Sequence, residues 1–230
     1  LANCASILTM FPETLKEKFH GGRIKISRAV SNVVGGFKSD RLRVVLMAGF
    51  LFSAGFTFFT TFFGVYLRNN FNFSSAKIGD YFAIVGLFIA ISQAVVVAKV
   101  AKKLADWKVL RFSMFGLGAM MLVYFVIPTT SSYFLYLVIP FFTLFNGLTM
   151  ANMSSLISRS AEMGQQGQAM GIYSSVSSLA QVPASILVGY ITSDITSSQP
   201  LFVSSACIIA GGLVFVLLFK PKYVMESAHA

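Results

Sequence analysis

The sequence predicts an all-α membrane protein, a single bundle of six transmembrane helices, and three observations predict it. Of the 230 residues, 56% are apolar and only 11% charged, against about 45–50% and 25% in soluble domains. The apolar residues gather into runs of the length, about 20 residues, that a helix needs to cross the hydrocarbon core. Lys and Arg outnumber Asp and Glu 18 to 8 and fall almost wholly between alternate runs, as loops on one face of a membrane do. A net charge of +10 could also mark a nucleic-acid binder. Here 24 Phe and long uncharged stretches turn those charges toward an anionic bilayer surface. The bilayer is therefore the expected partner, with no nucleic acid. Two cysteines, Cys4 and Cys207, exclude a disulfide scaffold. The runs are too long and too uniformly apolar for the alternating strands of a β-barrel, which are about ten residues each.

The chain opens with an apolar segment, residues 1–12, that stops at Pro12-Glu13-Thr14 and is too short to cross. It reads as the tail of a preceding transmembrane helix. Residues 13–43 form a basic cytoplasmic linker in which Val30, Val33, Val34 and Phe37 recur at helical spacing. That spacing suits an amphipathic helix on the membrane surface, while Gly21-Gly22 and Gly35-Gly36 suit an unstructured linker. The bundle follows over residues 44–220, with spans at 44–67, 78–98, 109–127, 134–157, 168–192 and 201–219, and then a tail over 221–230. Gly and Pro within these spans are tolerated in lipid, where neighbouring helices satisfy freed backbone groups. With Leu1 first and no basic n-region, a signal peptide is not expected, and the chain reads as a piece of something longer.

Charge sets the topology. Sixteen of the 18 basic residues lie before span one, between spans two and three, and after spans four and six. Arg68 and Lys77 alone lie on the other side. The positive-inside rule then places both ends in the cytoplasm, for a multi-pass protein of the cell (inner or plasma) membrane. Trp107 and Tyr223 at one face, with Tyr66, Tyr81, Tyr133 and Tyr190 near the other, suit interfacial aromatic belts.

Polar residues are costly in lipid, so their distribution carries information. Ser, Thr, Asn, Gln and Asp number 4, 3 and 1 in spans one to three, and 6, 8 and 2 in spans four to six. The third member of each triplet is the driest. Two inverted three-helix repeats, with the third helix of each facing lipid and the others lining an aqueous cavity, would give this order.

Three stretches resemble a known family. Residues 11–18 (FPETLKEK) look like the end of the sixth helix and the start of the central loop of major facilitator superfamily transporters. Residues 73–90 (FSSAKIGDYFAIVGLFIA) are similar to the entry of their eighth helix, and residues 164–191 (GQQGQAMGIYSSVSSLAQVPASILVGYI) to their eleventh. The resemblance implies the C-terminal six-helix half of such a transporter, nearest the drug and sugar efflux branch. It implies alternating access, a small-molecule solute, a missing N-terminal six-helix half as partner, and proton-coupled efflux as a candidate mode. Residues 99–108 (KVAKKLADWK) keep the basic residues and the Asp of the family's loop motif but lack both of its glycines. That loop is read as solvated positive charge rather than a latch. Val182-Pro183 stands where the family often has Gly-Pro, and Pro183 still removes a helix hydrogen bond.

The expected solute cavity is lined by Ser53, Thr57 and Thr60 of span one, Gln93 of span two, Thr143 and Asn146 of span four, and Ser174, Ser177 and Gln181 of span five. Within each of spans one, four and five the set shares one helix face. Thr57, Asn146 and Gln181 lie near mid-span, where transporter sites sit. The competing reading is hydrogen bonding between helices. Asp80 is the one carboxylate near the interior of a span and the candidate coupling group. Its place two turns into span two, behind a capping Ser74 or Ser75, also suits simple helix-dipole stabilisation. Gly167 and Gly171 form a G-x-x-x-G pair suited to close helix packing. Met150, Met153 and Met170 read as packing residues. No enzyme is expected, and no cofactor or metal: His20 and His229 lie outside the spans, and no phosphate loop of the Walker type occurs. A channel, or a sensor or assembly module built on a transporter-like half, is the alternative function.

Overall fold

The computed structural model describes residues 34–101, 103–129, 131–161, 164–191 and 199–219. Segment 1–12, most of the linker 13–43 and the tail 221–230 lie outside them, as do Cys4, His20, Tyr223 and His229. Every described element is helical. Six helices are long and apolar enough to cross a membrane: α1 (Asp40–Phe71), α2 (Ser75–Ile91), α3 (Asp106–Val126), α4 (Tyr133–Ser160), α5 (Gln166–Ile191) and α6 (Gln199–Leu218). α2 runs on through a π-helical stretch, Ser92–Val97, and a closing turn, Ala98–Ala101. α1 has 32 residues, about 48 Å of helix, so it extends well past a hydrocarbon core of about 30 Å. Ahead of it, residues 34–38 make a short helical turn that rests Phe37 on Leu46, Ile172 and Val176.

The sequence explains where helices stop. Asn72 takes the left-handed conformation (φ 54°) that ends α1, its N–H reaching back to the Leu67 carbonyl, a C-terminal arrangement Asn tolerates. Two residues on, the Ser74 hydroxyl accepts from the Lys77 N–H at 3.3 Å and starts α2.

Packing repeats after three helices. α1 lies against α6 and α5, as α4 lies against α3 and α2, while α3 and α6 meet each other. The repeat extends to side chains. The Ser204 hydroxyl of α6 donates to the Gly55 carbonyl of α1 at 2.6 Å, and the Thr149 hydroxyl of α4 donates to Ser113 of α3 at 2.9 Å. Gly55 is what lets α1 and α6 meet so closely. A Cβ there would stand 2.7 Å from the Ser204 carbonyl oxygen.

Several expectations are corrected. α3 and α6 are not simply the lipid-facing pair: each packs into the bundle on one side and exposes apolar residues such as Phe112 and Leu217 on the other. α2 and α5 are the least buried helices. The serines of α6 are dry because neighbouring carbonyls take them, Ser205 donating to Gly118 O at 2.7 Å. Nor do Tyr66 and Tyr81 belong to an interfacial belt. Both are buried with Phe59, Phe63, Tyr124 and Phe142 in an aromatic cluster, its Phe59 and Phe63 centroids 4.5 Å apart. There the Tyr66 hydroxyl donates to the Tyr124 carbonyl at 2.6 Å, and the Tyr81 and Tyr124 hydroxyls lie 2.9 Å apart. Buried phenols need such partners. Tyr133 and Tyr190 remain exposed. Gly167 and Gly171 have nothing within 4 Å of a built Cβ, so no described helix packs against them.

Candidate functional site

Serine and threonine in a helix interior return their hydroxyl to a carbonyl one turn back when no other partner is near. α1 does this along one face. Thr57 donates to the Ser53 carbonyl at 2.8 Å and Thr60 to the Phe56 carbonyl at 3.1 Å. Ser53, one turn deeper and buried, points at α5 instead and donates to the Ser177 hydroxyl at 3.0 Å. The Tyr173 hydroxyl lies beside both, and its ring fits against α1 because residue 49 is Gly: a Cβ there would come within 2.7 Å of the ring.

These contact residues border a cavity of about 480 Å³. Phe52, Ser53, Phe56, Thr57 and Thr60 line it from α1, Met150 from α4, and Met170, Tyr173, Ser174, Ser177 and Gln181 from α5. Six of the nine sequence-predicted residues thus meet in one place: Ser53, Thr57, Thr60, Ser174, Ser177 and Gln181. The lining includes no charged side chain. Thr57 and Thr60 have spent their protons on carbonyls and keep lone pairs to offer. The amide of Gln181 and the hydroxyl of Ser174 have no hydrogen bond to another described residue, leaving both donors and acceptors available.

The other three predicted residues lie outside that lining. Thr143 is buried and donates to the Pro140 carbonyl at 3.1 Å. Asn146 is buried too, and its Oδ1 has no hydrogen-bond partner among the described residues. Gln93 is exposed on the π-helical stretch, and its Cγ lies 3.7 Å from where a Cβ on Gly147 would be. Asp80 is exposed on α2, outside the cavity lining.

Sequence reasoning missed the apolar half of the lining. Phe52 and Phe56 flank the hydroxyl face of α1 one turn apart, and Tyr173 precedes Ser177 by four residues. Both are visible as helical neighbours of residues already singled out. Met150 and Met170, read as packing, line the cavity, whereas Met153 is fully buried. Asp106 was also misread. It is nearly buried at the start of α3, where its Oδ2 accepts from the Ser155 hydroxyl at 2.6 Å and pairs with Arg159 Nε at 3.2 Å. It therefore ties α3 to α4 rather than decorating a solvated loop.

The chain is similar to hippocampus abundant transcript-like protein 1 of Rattus norvegicus, at 26% identity over 97% of this chain and 48% of the relative. It is similar also to the protein of that name from Mus musculus, at 27% identity over 99% of this chain and 49% of the relative. It spans about half the length of these curated relatives. The family model of the Major Facilitator Superfamily matches residues 4–185 and again 45–228. With six membrane-competent helices whose packing repeats after three, and that match running almost from end to end, the chain belongs to the Major Facilitator Superfamily.

Proposed function

We propose that this chain forms the C-terminal six-helix half of a secondary transporter that moves a small solute across the cell membrane by alternating access. The observation that carries the reading is the cavity between α1, α4 and α5, where hydroxyls and an amide converge beside aromatic rings near the middle of α1 and α5. Sites of secondary transporters lie near the bilayer midplane, between bundles that rock about them. An uncharged lining of hydroxyls, Gln181 and rings suits a solute with neutral hydrogen-bonding groups and an apolar face. Both ends of the bundle face the cytoplasm, on the strength of the 16 basic residues on that side. Efflux is the direction suggested by the family branch the sequence most resembles. No described carboxylate lines the cavity, so proton coupling would draw on groups of the other half rather than on Asp80.

The test is made in the intact transporter. Gln181→Ala and Thr57→Ala should each lower solute flux several-fold while surface expression stays near normal. Val126→Ala and Leu217→Ala, on exposed apolar faces, should change neither. Flux unaffected in both cavity variants would remove the cavity from the transport path.

A further inference from the structure

Arg111 lies five residues into α3, at the end of the bundle carrying most of the positive charge. Its guanidinium sits 4.8 Å from the centre of the Trp107 ring, and the Lys108 ammonium approaches the same ring at 5.3 Å. Two cations share one aromatic platform. Among the described residues, the polar partners of Arg111 are few and weak. Arg111 Nη2 reaches the Phe219 carbonyl, just past the end of α6, at 3.4 Å. Its Nε is buried with no hydrogen-bond partner among the described residues. Asp106, the carboxylate nearest in sequence, is already held by Ser155 and Arg159. Burying part of a guanidinium without full pairing is costly, and a planar, multi-donor cation of this kind is suited to phosphate oxygens.

We propose that Trp107, Lys108 and Arg111 form a binding site for the phosphate of an anionic phospholipid, where the start of α3 meets the end of α6. A lipid is favoured over free phosphate because exposed apolar side chains, Leu104 and Phe112, flank the cluster on α3 and its approach. An acyl chain would cover them while the headgroup meets the cations. Trp107 is the second residue of a membrane-competent helix, the position at which tryptophans favour the interface. The site is separate from the solute cavity and rests on the cytoplasmic placement of this end, where anionic lipids concentrate.

Trp107 is the one tryptophan in the sequence, so its fluorescence reports on the site directly. The protein is reconstituted in phosphatidylcholine bilayers, and Trp107 quenching is titrated with brominated phosphatidylglycerol or brominated phosphatidylcholine. The anionic lipid should quench at a mole fraction lower by about fivefold or more, the scale set by one basic residue near a membrane surface. Lys108→Gln, an exposed change that leaves the packing intact, should reduce that preference, and Arg111→Gln should abolish it. Equal quenching by the two lipids in the unmodified protein would overturn the proposal, whatever the variants do. So would an unchanged preference in Lys108→Gln. Loss of the preference on adding millimolar inorganic phosphate would overturn the lipid as the ligand.

Discussion

At the scale of single residues, the Oδ1 of Asn146 stands out as a buried acceptor with no donor among the described residues. Leaving such a group unpaired costs about 1–3 kcal/mol, a cost that packing alone gives no reason to keep. Asn146→Leu should therefore leave the melting temperature of the detergent-solubilised protein unchanged or raised. If Asn146 meets the solute in another state of the cycle, flux through the intact transporter should fall in the same variant. Undiminished flux with raised stability would make Asn146 merely an unpaired amide. Tyr81 supplies the opposite case, since its hydroxyl is engaged by Tyr124 and lies 3.4 Å from the Leu135 carbonyl. Tyr81→Phe should lower stability by about 0.6 kcal/mol, the average for hydrogen bonds between membrane helices, and by no more than about 1.7 kcal/mol, as read from denaturant unfolding in mixed micelles.

At the scale of helices, glycine separates contacts from open faces. Gly55→Ala would press a methyl group onto the Ser204 carbonyl and force α1 and α6 apart, at about 1–3 kcal/mol. Gly171→Ala meets nothing within 4 Å and should leave the thermal stability of this chain unchanged. Equal shifts in the two melting curves would contradict the packing described. The contrast also shows what the sequence could convey. Apolar runs announced six helices, and the four-residue spacing of Ser53, Thr57, Ser177 and Gln181 announced two polar faces that do meet. Partner identity was not legible. G-x-x-x-G at 167 and 171 looked like a contact, while the helix–helix approaches at Gly49 and Gly55 carry no such pattern. Periodicity reports which residues share a face, not which helix that face meets. Tyr66 and Tyr81 were misplaced for the same reason. A tyrosine near a span's end suits an interfacial belt and a buried cluster equally well until neighbouring helices are known. The burial of Asp106 depended on Ser155 and Arg159, about fifty positions away in the chain, and was equally invisible.

At the scale of the whole molecule, α2 and α5 are the most exposed helices, and the chain matches about half of each relative's length. Alternating access needs two bundles around one site. The 230-residue chain alone, reconstituted in proteoliposomes, should therefore show no solute flux above that of empty liposomes. Measurable flux would mean that the chain, or an assembly of its copies, completes a pathway by itself. Topology can be checked in the same preparation. A cysteine at Ser132 should react with an impermeant reagent on one face and a cysteine at Gln165 on the other. The threonine hydroxyls of α1 bear on a further matter, the unloaded half of a transport cycle. Because Thr57 and Thr60 already donate to their own helix, a vacated cavity leaves no threonine proton stranded away from water. Resetting without cargo then incurs little penalty from this wall. In the proposed transporter, Gln181 and Ser174 of the facing helix are then the lining groups that an empty site must keep wet.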